Sequence, residues 1–298
     1  MRRVFITGAT GFVGRGVIQA LRADGHIVRC LVRRGSEPAL KGFEAIERVE
    51  GDVLVHRTLD HALAGCDAVI HLVGIIRERP ALGVTFERLH VEATLNVLAA
   101  ASGAGVRRVL HISALGARAG ARSRYHQTKW RAEEAVRSSG LDWTIFRPSI
   151  IYGPGDGFVT MLARIVRRLP IVPVFGSGGS RIQPVSLQVV AEGFARALDQ
   201  SASIGQAYEI GGPEAYTFDE VLDLIGAVLR RRVRKAHLPL GVMRRLTAVL
   251  QSVPFYPITT DQLLMLEEDN VCDPKPFLSA FGLQPISFPT GLRRMLLA

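Results

Sequence analysis

The chain has 298 residues, 48% of them hydrophobic, enough for one large domain or for a domain with a smaller lobe and a full core. Its formal charge is +10, yet only four of its 37 basic residues are lysines (Lys41, Lys129, Lys235 and Lys275), the rest being arginine. No run of 18 apolar residues occurs, so no transmembrane helix is predicted. The first residues enter a strand at once, which predicts no signal peptide and a cytoplasmic location. Cys30, Cys66 and Cys272 lack Cys-x-x-Cys spacing and read as small buried hydrophobes in a reducing compartment.

The opening residues predict a strand, a turn and a helix. Val4-Phe5-Ile6 leads into Thr7-Gly8-Ala9-Thr10-Gly11-Phe12-Val13-Gly14, and Val17, Ile18 and Leu21 continue at helical spacing. In that context Gly8 permits a sharp turn, Gly11 lets backbone N–H groups approach a pyrophosphate, and Gly14 lets the helix sit close to the strand. The helix N-terminus adds partial positive charge for the phosphates. The competing reading is a glycine-rich turn that binds nothing; the strand-to-helix context weighs against it.

A second strand runs from Ile27 to Val32 and ends at Arg33-Arg34, about 20 residues past the glycines. An acidic residue there would take both ribose hydroxyls of NAD, whereas arginine suits the 2′-phosphate of NADP. NADP(H) is therefore expected over NAD(H), against the alternative of an ordinary solvated pair in an arginine-rich chain. Asp52, beside Val53 at the predicted tip of a third strand, is placed to meet the adenine amino group or to cap the next turn. Ala68 to Gly74 reads as a buried fourth strand with a small residue at its carboxyl end, where a doubly wound sheet leaves room for a ligand. A helix is expected from Phe86 to Ala101 and a fifth strand from Val109 to Ser113. Alternating strand and helix patterns predict an α/β fold, a parallel doubly wound sheet covered on both faces. His71 and His111 sit among apolar strand residues with no third ligand in view; they read as packed core histidines, and no metal is expected.

In Tyr125-His126-Gln127-Thr128-Lys129 the spacing of four puts the phenol and the ammonium on one helix face. A neighbouring ammonium favours the phenolate. The competing reading is a pair on a helix surface.

Together, the glycine turn, Tyr125-x-x-x-Lys129 and Phe146-Arg147-Pro148-Ser149-Ile150-Ile151-Tyr152-Gly153-Pro154-Gly155 resemble an extended short-chain dehydrogenase/reductase of the epimerase/dehydratase type. Gln183-Pro184-Val185-Ser186, Tyr208-Glu209-Ile210-Gly211-Gly212-Pro213-Glu214 and Phe281-Gly282-Leu283 extend the likeness over nearly the whole chain. His71-Leu72-Val73-Gly74-Ile75, the short segment from Ser113 to Tyr125, and Thr260 to Leu266 with Asp269-Asn270 make it similar to an atypical branch. That branch contains the nucleotide-binding accessory subunit of respiratory complex I and its bacterial relatives.

The resemblance implies roles residue by residue. Thr7, Gly8, Thr10, Gly11, Phe12, Val13 and Gly14 would hold the pyrophosphate turn, Arg33 and Arg34 the 2′-phosphate, and Asp52 and Val53 the adenine. Leu72, Val73 and Gly74 would line the nicotinamide-side ribose, with Pro148, Ser149 and Ile151 against the nicotinamide. Tyr125 would be the general acid/base and Lys129 its electrostatic partner. The family's catalytic hydroxyl, which polarises a substrate carbonyl, aligns with Ala114; Ser113, one place early, is the candidate catalytic hydroxyl beside Tyr125 and Lys129. The family's usual Asn aligns with His90. These departures fit either a specialised reductase or a protein that binds NADP(H) without turnover. A nucleotide-sugar epimerase or dehydratase is a further alternative, although its polar sugar-binding set is not identifiable.

The second half is expected to form a smaller α/β lobe from residue 151, packed on a Rossmann domain of residues 1–150. Gly153 to Gly157 and Gly176 to Ser180 read as loops, Leu187 to Leu198 as a helix, and Thr217 with Glu220 as a capping box. Val242, Leu246, Val249, Leu250 and Val253 share one helical face opposite Arg244 and Arg245. That face is expected to cover a substrate pocket, with a membrane-surface patch including Phe255 and Tyr256 as the alternative. The basic run Arg230 to Lys235 lacks interleaved aromatics for base stacking, so nucleic acid is not an expected partner. The expected partners are a small-molecule substrate and, alternatively, a membrane surface or a respiratory complex.

Overall fold

The structure is a computed structural model that describes residues 1–251 and 258–297. From the N-terminus come β1 (Arg3–Thr7), α1 (Phe12–Ala23), β2 (Ile27–Val32), β3 (Glu47–Glu50), α2 (Arg57–Asp60) and β4 (Ala68–His71). A π-helical turn, Glu87–Glu92, runs straight into α3 (Ala93–Gly103), followed by β5 (Arg108–Ile112), α4 (Arg124–Arg137) and β6 (Asp142–Pro148). The later elements are β7 (Ile151–Tyr152), α5 (Phe158–Arg168), β8 (Val172–Phe175), β9 (Arg181–Ile182), β10 (Val185–Ser186), α6 (Leu187–Ala197) and β11 (Gln206–Ile210). Next are β12 (Tyr216–Thr217), α7 (Phe218–Val228), β13 (Lys235–Leu238), α8 (Leu240–Leu250), α9 (Thr260–Leu266), α10 (Lys275–Ala280) and α11 (Phe288–Leu296).

Seven strands form one sheet in the order β3-β2-β1-β4-β5-β6-β11, and every pairing from β3 to β6 is parallel. This is the α/β doubly wound arrangement expected from the alternating pattern. β4 and β5 are buried along their whole length, as strands covered on both faces must be. Between β1 and β4 the order of travel reverses, and this switch point opens at the carboxyl ends of the strands. The predicted third and fourth strands prove shorter: β3 stops at Glu50 and β4 at His71, so Asp52, Val53, Leu72, Val73 and Gly74 lie in the loops beyond them. The predicted helix from Phe86 is split by the π turn, which shifts the helical register ahead of α3.

The chain groups into two compact units. The first holds Met1–Pro148, Leu187–Glu209 and Lys275–Gln284, so it takes in two segments that a single division after residue 150 assigns to the smaller lobe. Packing accounts for both. Gly16 of α1 lies against Leu187 of α6, where a Cβ would come within 2.8 Å of the leucine side chain. Phe146 of β6 meets Phe194, Phe277 and Phe281 edge-on at centroid distances of 4.6, 5.6 and 5.6 Å. Such pairs add about 0.5–1.5 kcal/mol each beyond their buried area.

The second unit holds Ser149–Ser186, Ile210–Pro274 and Pro285–Ala298 around a core that includes Tyr152, Leu162, Val174, Leu222, Ile225 and Phe288. Its α7 starts with the expected capping box, Thr217 and Glu220 each closing on the other's backbone N–H. β8 and β13 pair in parallel. In α8 the buried residues are Met243 and Thr247, and Met243 packs with Ile258 and Leu263. Val242, Leu246 and Val249 are exposed, so the stripe expected to cover a pocket faces outward. Val253, Phe255 and Tyr256 lie outside the described residues. Among the described residues no helix is long and apolar enough to cross a membrane.

Candidate functional site

The carboxyl ends of β1, β4 and β5 bring the predicted residues of the first unit together. Gly8 follows β1 with φ +77°, where a side chain is strained, and a Cβ there would come within 2.8 Å of the Leu72 carbonyl carbon. Gly14, one turn into α1, is tighter still: a Cβ would sit 2.3 Å from the Gly8 oxygen and 2.7 Å from the Ala9 oxygen. Gly11 has ordinary extended backbone and sits at the helix N-cap, and no side chain caps that terminus. Phe12 and Val13 open α1, with Thr10 just before the cap. The first backbone N–H groups of α1 therefore face a glycine-bounded turn with no side-chain cap. That cradle fits an anionic group such as a pyrophosphate.

Arg33 and Arg34 follow β2, both exposed, and neither pairs with a carboxylate among the described residues. Asp52 takes the turn role: its carboxylate accepts the Leu54 N–H at 2.9 Å. Val53 is buried in the core, and its carbonyl accepts from the Asn96 side chain at 2.9 Å.

Strand register explains the centre of the site. Thr7 pairs with His71 and His71 with His111, so three polar side chains line up across neighbouring strand ends. The Thr7 hydroxyl lies 2.6 Å from His71 Nδ1, and Thr94 Oγ1 lies 3.1 Å from His71 Nε2. His111 stacks on His71 with centroids 5.4 Å apart. Both nitrogens of His111 and the Ser113 hydroxyl are buried with no hydrogen-bond partner among the described residues. His90, carried by the π turn, completes the group. Its Nδ1 lies 2.8 Å from the Thr128 hydroxyl, and its Nε2 accepts the Ile75 N–H at 3.2 Å. Burial, with the ammonium of Lys129 adding to it, lowers His71 to about 3 and His90 to about 2. Burial takes His111 well below the usual histidine value. All three imidazoles are therefore neutral at physiological pH.

Lys129 lies one turn beyond Tyr125 on α4 and is buried. Its Nζ donates to the Ile112 carbonyl at 3.0 Å and lies 3.0 Å from where a Cβ of Gly74 would be. Burial lowers it to about 8, with the carboxylate of Glu133 opposing. Tyr125 is half-buried and stands edge-on to Phe86, His90 and His126, at 5.8, 5.4 and 5.3 Å. The Ser113 N–H donates to the Phe146 carbonyl at 2.7 Å, and the next residue, Ala114, is buried. Pro148 ends β6 and accepts from the Leu115 N–H at 2.9 Å. Ser149 and Ile151 belong to the second unit, where Ser149 Oγ donates to Asn270 Oδ1 at 2.6 Å and Ile151 pairs with Val185.

The first unit thus gathers the glycine turn, Leu72 to Gly74, Tyr125, Lys129 and Ser113 around one strand-end region. Sequence reasoning did not assign Thr94, Thr128 or the Ile112 carbonyl to it. Thr128 lay inside the Tyr-x-x-x-Lys motif, but only the fold shows its hydroxyl against His90.

A family model described as NAD(P)H-binding matches residues 8–163. The chain is 30% identical over 278 residues to "NADH dehydrogenase [ubiquinone] 1 alpha subcomplex subunit 9, mitochondrial" of Arabidopsis thaliana, covering 89% of this chain and 68% of that protein. It is 38% identical over 189 residues to the ceramide reductase of Caulobacter vibrioides, covering 63% of this chain and 58% of that one. A double mutant of dTDP-glucose 4,6-dehydratase from Streptomyces venezuelae, solved with NAD bound, shares the fold at a TM-score of 0.75 and 22% identity, over 100% of this chain and 96% of that one. The chain belongs to the NAD(P)H-binding family of atypical, extended short-chain dehydrogenase/reductase proteins, the branch that includes the complex I alpha subcomplex subunit 9 proteins.

Proposed function

We propose that the protein is an NADPH-dependent reductase of a carbonyl group on an apolar substrate. The observation that carries the reading is Lys129, a buried ammonium set over Gly74 and one helical turn from Tyr125. Burying a lysine is unfavourable, and the chain offers its Nζ one backbone carbonyl and a neighbouring carboxylate in return. Nicotinamide, when bound, supplies the hydride that reaches the carbonyl carbon. The Tyr125 hydroxyl gives its proton to the carbonyl oxygen, and the Lys129 ammonium stabilises the phenolate left behind. His90 holds the Ile75 loop against Thr128 and so keeps α4 in place. The glycine turn and α1 N-terminus take the pyrophosphate, and Arg33 with Arg34 takes the 2′-phosphate. The apolar substrate class is supported by the relative named ceramide reductase.

The reading makes a direct prediction. NADPH oxidation with a panel of long-chain aldehydes and ketones is expected to fall roughly 100-fold or more in Tyr125→Phe, since a positioned acid contributes about 10²–10⁴. NADPH affinity should be unchanged in that variant. kcat/KM is expected to decline as pH rises through about 8, where Lys129 loses its proton. Turnover untouched by Tyr125→Phe would contradict the assignment.

One observation favours a second reading. Ala114, with which the family's carbonyl-polarising hydroxyl aligns, is a buried methyl group. A cofactor-binding accessory or assembly protein of a respiratory complex needs no such donor, and the Arabidopsis relative carries a respiratory-complex name. Tight NADPH binding, no turnover on any carbonyl and co-purification with membrane proteins would favour it.

A further inference from the structure

The arginines of this chain fall into two groups. Several of those in the first unit are held by carboxylates: Arg3 and Arg29 by Glu47, Arg107 by Asp142, Arg131 by Glu87, and Arg137 and Arg147 by Glu133. The end of α5 and the turn between α7 and β13 behave otherwise. Arg167, Arg168, Arg230, Arg231, Arg232 and Arg234 are all exposed, and none pairs with a carboxylate among the described residues.

These two segments meet. The Arg231 guanidinium donates to the Arg167 carbonyl, the Val172 N–H donates to the Arg234 carbonyl at 2.8 Å, and Val172 pairs with Lys235 across the β8–β13 ladder. Arg230 has φ +53°, the left-handed position at a helix end that glycine usually fills. With it the chain turns sharply, and the Arg231 N–H closes back on the Gly226 carbonyl at 2.8 Å. Between the two basic segments runs Leu169-Pro170-Ile171, with Leu169 44% and Ile171 51% exposed.

We propose that this patch of the second unit docks on an anionic lipid bilayer. Six arginines without acidic partners supply the attraction to a negative surface. Leu169 and Ile171, projecting among them, supply apolar side chains that can enter the headgroup boundary. A nucleic acid fits less well, because the patch offers two aliphatic side chains and no aromatic ring for stacking a base. The inference stands apart from the proposed reduction, since none of these residues belongs to the site in the first unit.

The test is co-sedimentation of the full-length protein with phosphatidylcholine vesicles, with and without phosphatidylglycerol. Pelleting is expected only with phosphatidylglycerol and is expected to weaken as salt screens the charges. Arg168→Gln/Arg232→Gln/Arg234→Gln should lower the partition coefficient on the order of 100-fold, roughly fivefold per arginine. Leu169→Gln/Ile171→Gln should lower it with little change in salt dependence. Arg22→Gln, an exposed arginine of α1, should leave it unchanged. These side chains are exposed, so a melting temperature equal to wild type confirms that each variant is folded. No pelleting at low salt would overturn the proposal, as would pelleting that the triple variant retains. Single-stranded RNA binding that the triple variant loses, with vesicles ignored, would also overturn it and assign the patch to nucleic acid.

Discussion

Gly14→Ala is expected to destabilise the protein by about 3 kcal/mol, whereas Gly11→Ala is expected to leave stability nearly unchanged and to abolish tight NADPH binding. Only Phe12 and Val13 separate the two glycines. A Cβ on Gly14 would meet three backbone atoms of Gly8 and Ala9 at 2.3–2.8 Å, and backbone cannot swing aside as a long side chain can. The helix must shift away from β1, opening the packing beneath it. On Gly11 a Cβ would meet only the Gly8 carbonyl at 3.2 Å, and the residue already has φ −75° and ψ 171°, an extended conformation open to alanine. The added methyl there stands over the uncapped helix N-terminus and keeps a pyrophosphate from reaching the backbone N–H groups. Thermal melts and NADPH titrations of both variants separate the two effects. A Gly11→Ala protein that binds NADPH like wild type would remove the phosphates from this turn.

Acid is expected to unfold the protein steeply. His71, His90 and His111 are held neutral in the folded state, at about 3, about 2 and well below the ordinary value. In the unfolded chain each regains a value near 6.5 and takes up a proton that the folded state refuses. Because the unfolded state binds more protons below that value, stability falls as pH falls. Each histidine contributes about 1.4 kcal/mol per pH unit once the pH is well below ~6. The stability they provide is present in full above the unfolded value and is lost on acidification. Denaturant melts from about pH 7 to about pH 5 should show a loss of several kcal/mol. His111→Leu should reduce that loss by roughly a third and raise stability at neutral pH, since it removes two buried nitrogens without partners. An acid limb unaffected by His111→Leu would mean that this imidazole is paired or already charged in the folded protein.

Much of the site was legible because it rests on local spacing. The glycine turn lies between one strand and one helix, Tyr125 and Lys129 lie a single helical turn apart, and the Thr217–Glu220 box closes within four residues. Sequence alternation was also enough for the parallel sheet. What was not legible depends on register and long-range packing. His71 and His111 read as separate core residues, and their stacking follows from the parallel pairing of β4 with β5. His90 joins them because the π turn rotates it toward Thr128 and the Ile75 loop. The return of Leu187–Glu209 and Lys275–Gln284 to the first unit rests on aromatic contacts with Phe146, and no local pattern encodes those. Helical spacing identified the stripe on α8 but not which face of the helix would find neighbours. Among the described residues Met243 packs with Ile258 and Leu263, while Val242, Leu246 and Val249 are exposed.

Every step of the proposed reduction rests on NADPH held with its 2′-phosphate at the tip of β2. The most direct measurement is calorimetric titration of nucleotide-free protein with NADPH and NADH in parallel, for wild type and for Arg33→Ala. The account predicts that wild type prefers NADPH and that Arg33→Ala loses roughly ten- to hundredfold in NADPH affinity, the worth of a charge-assisted bond to phosphate. NADH affinity should stay the same, since that nucleotide has no 2′-phosphate to hold. Equal affinity for the two nucleotides in wild type, or a preference for NADH, would contradict the account.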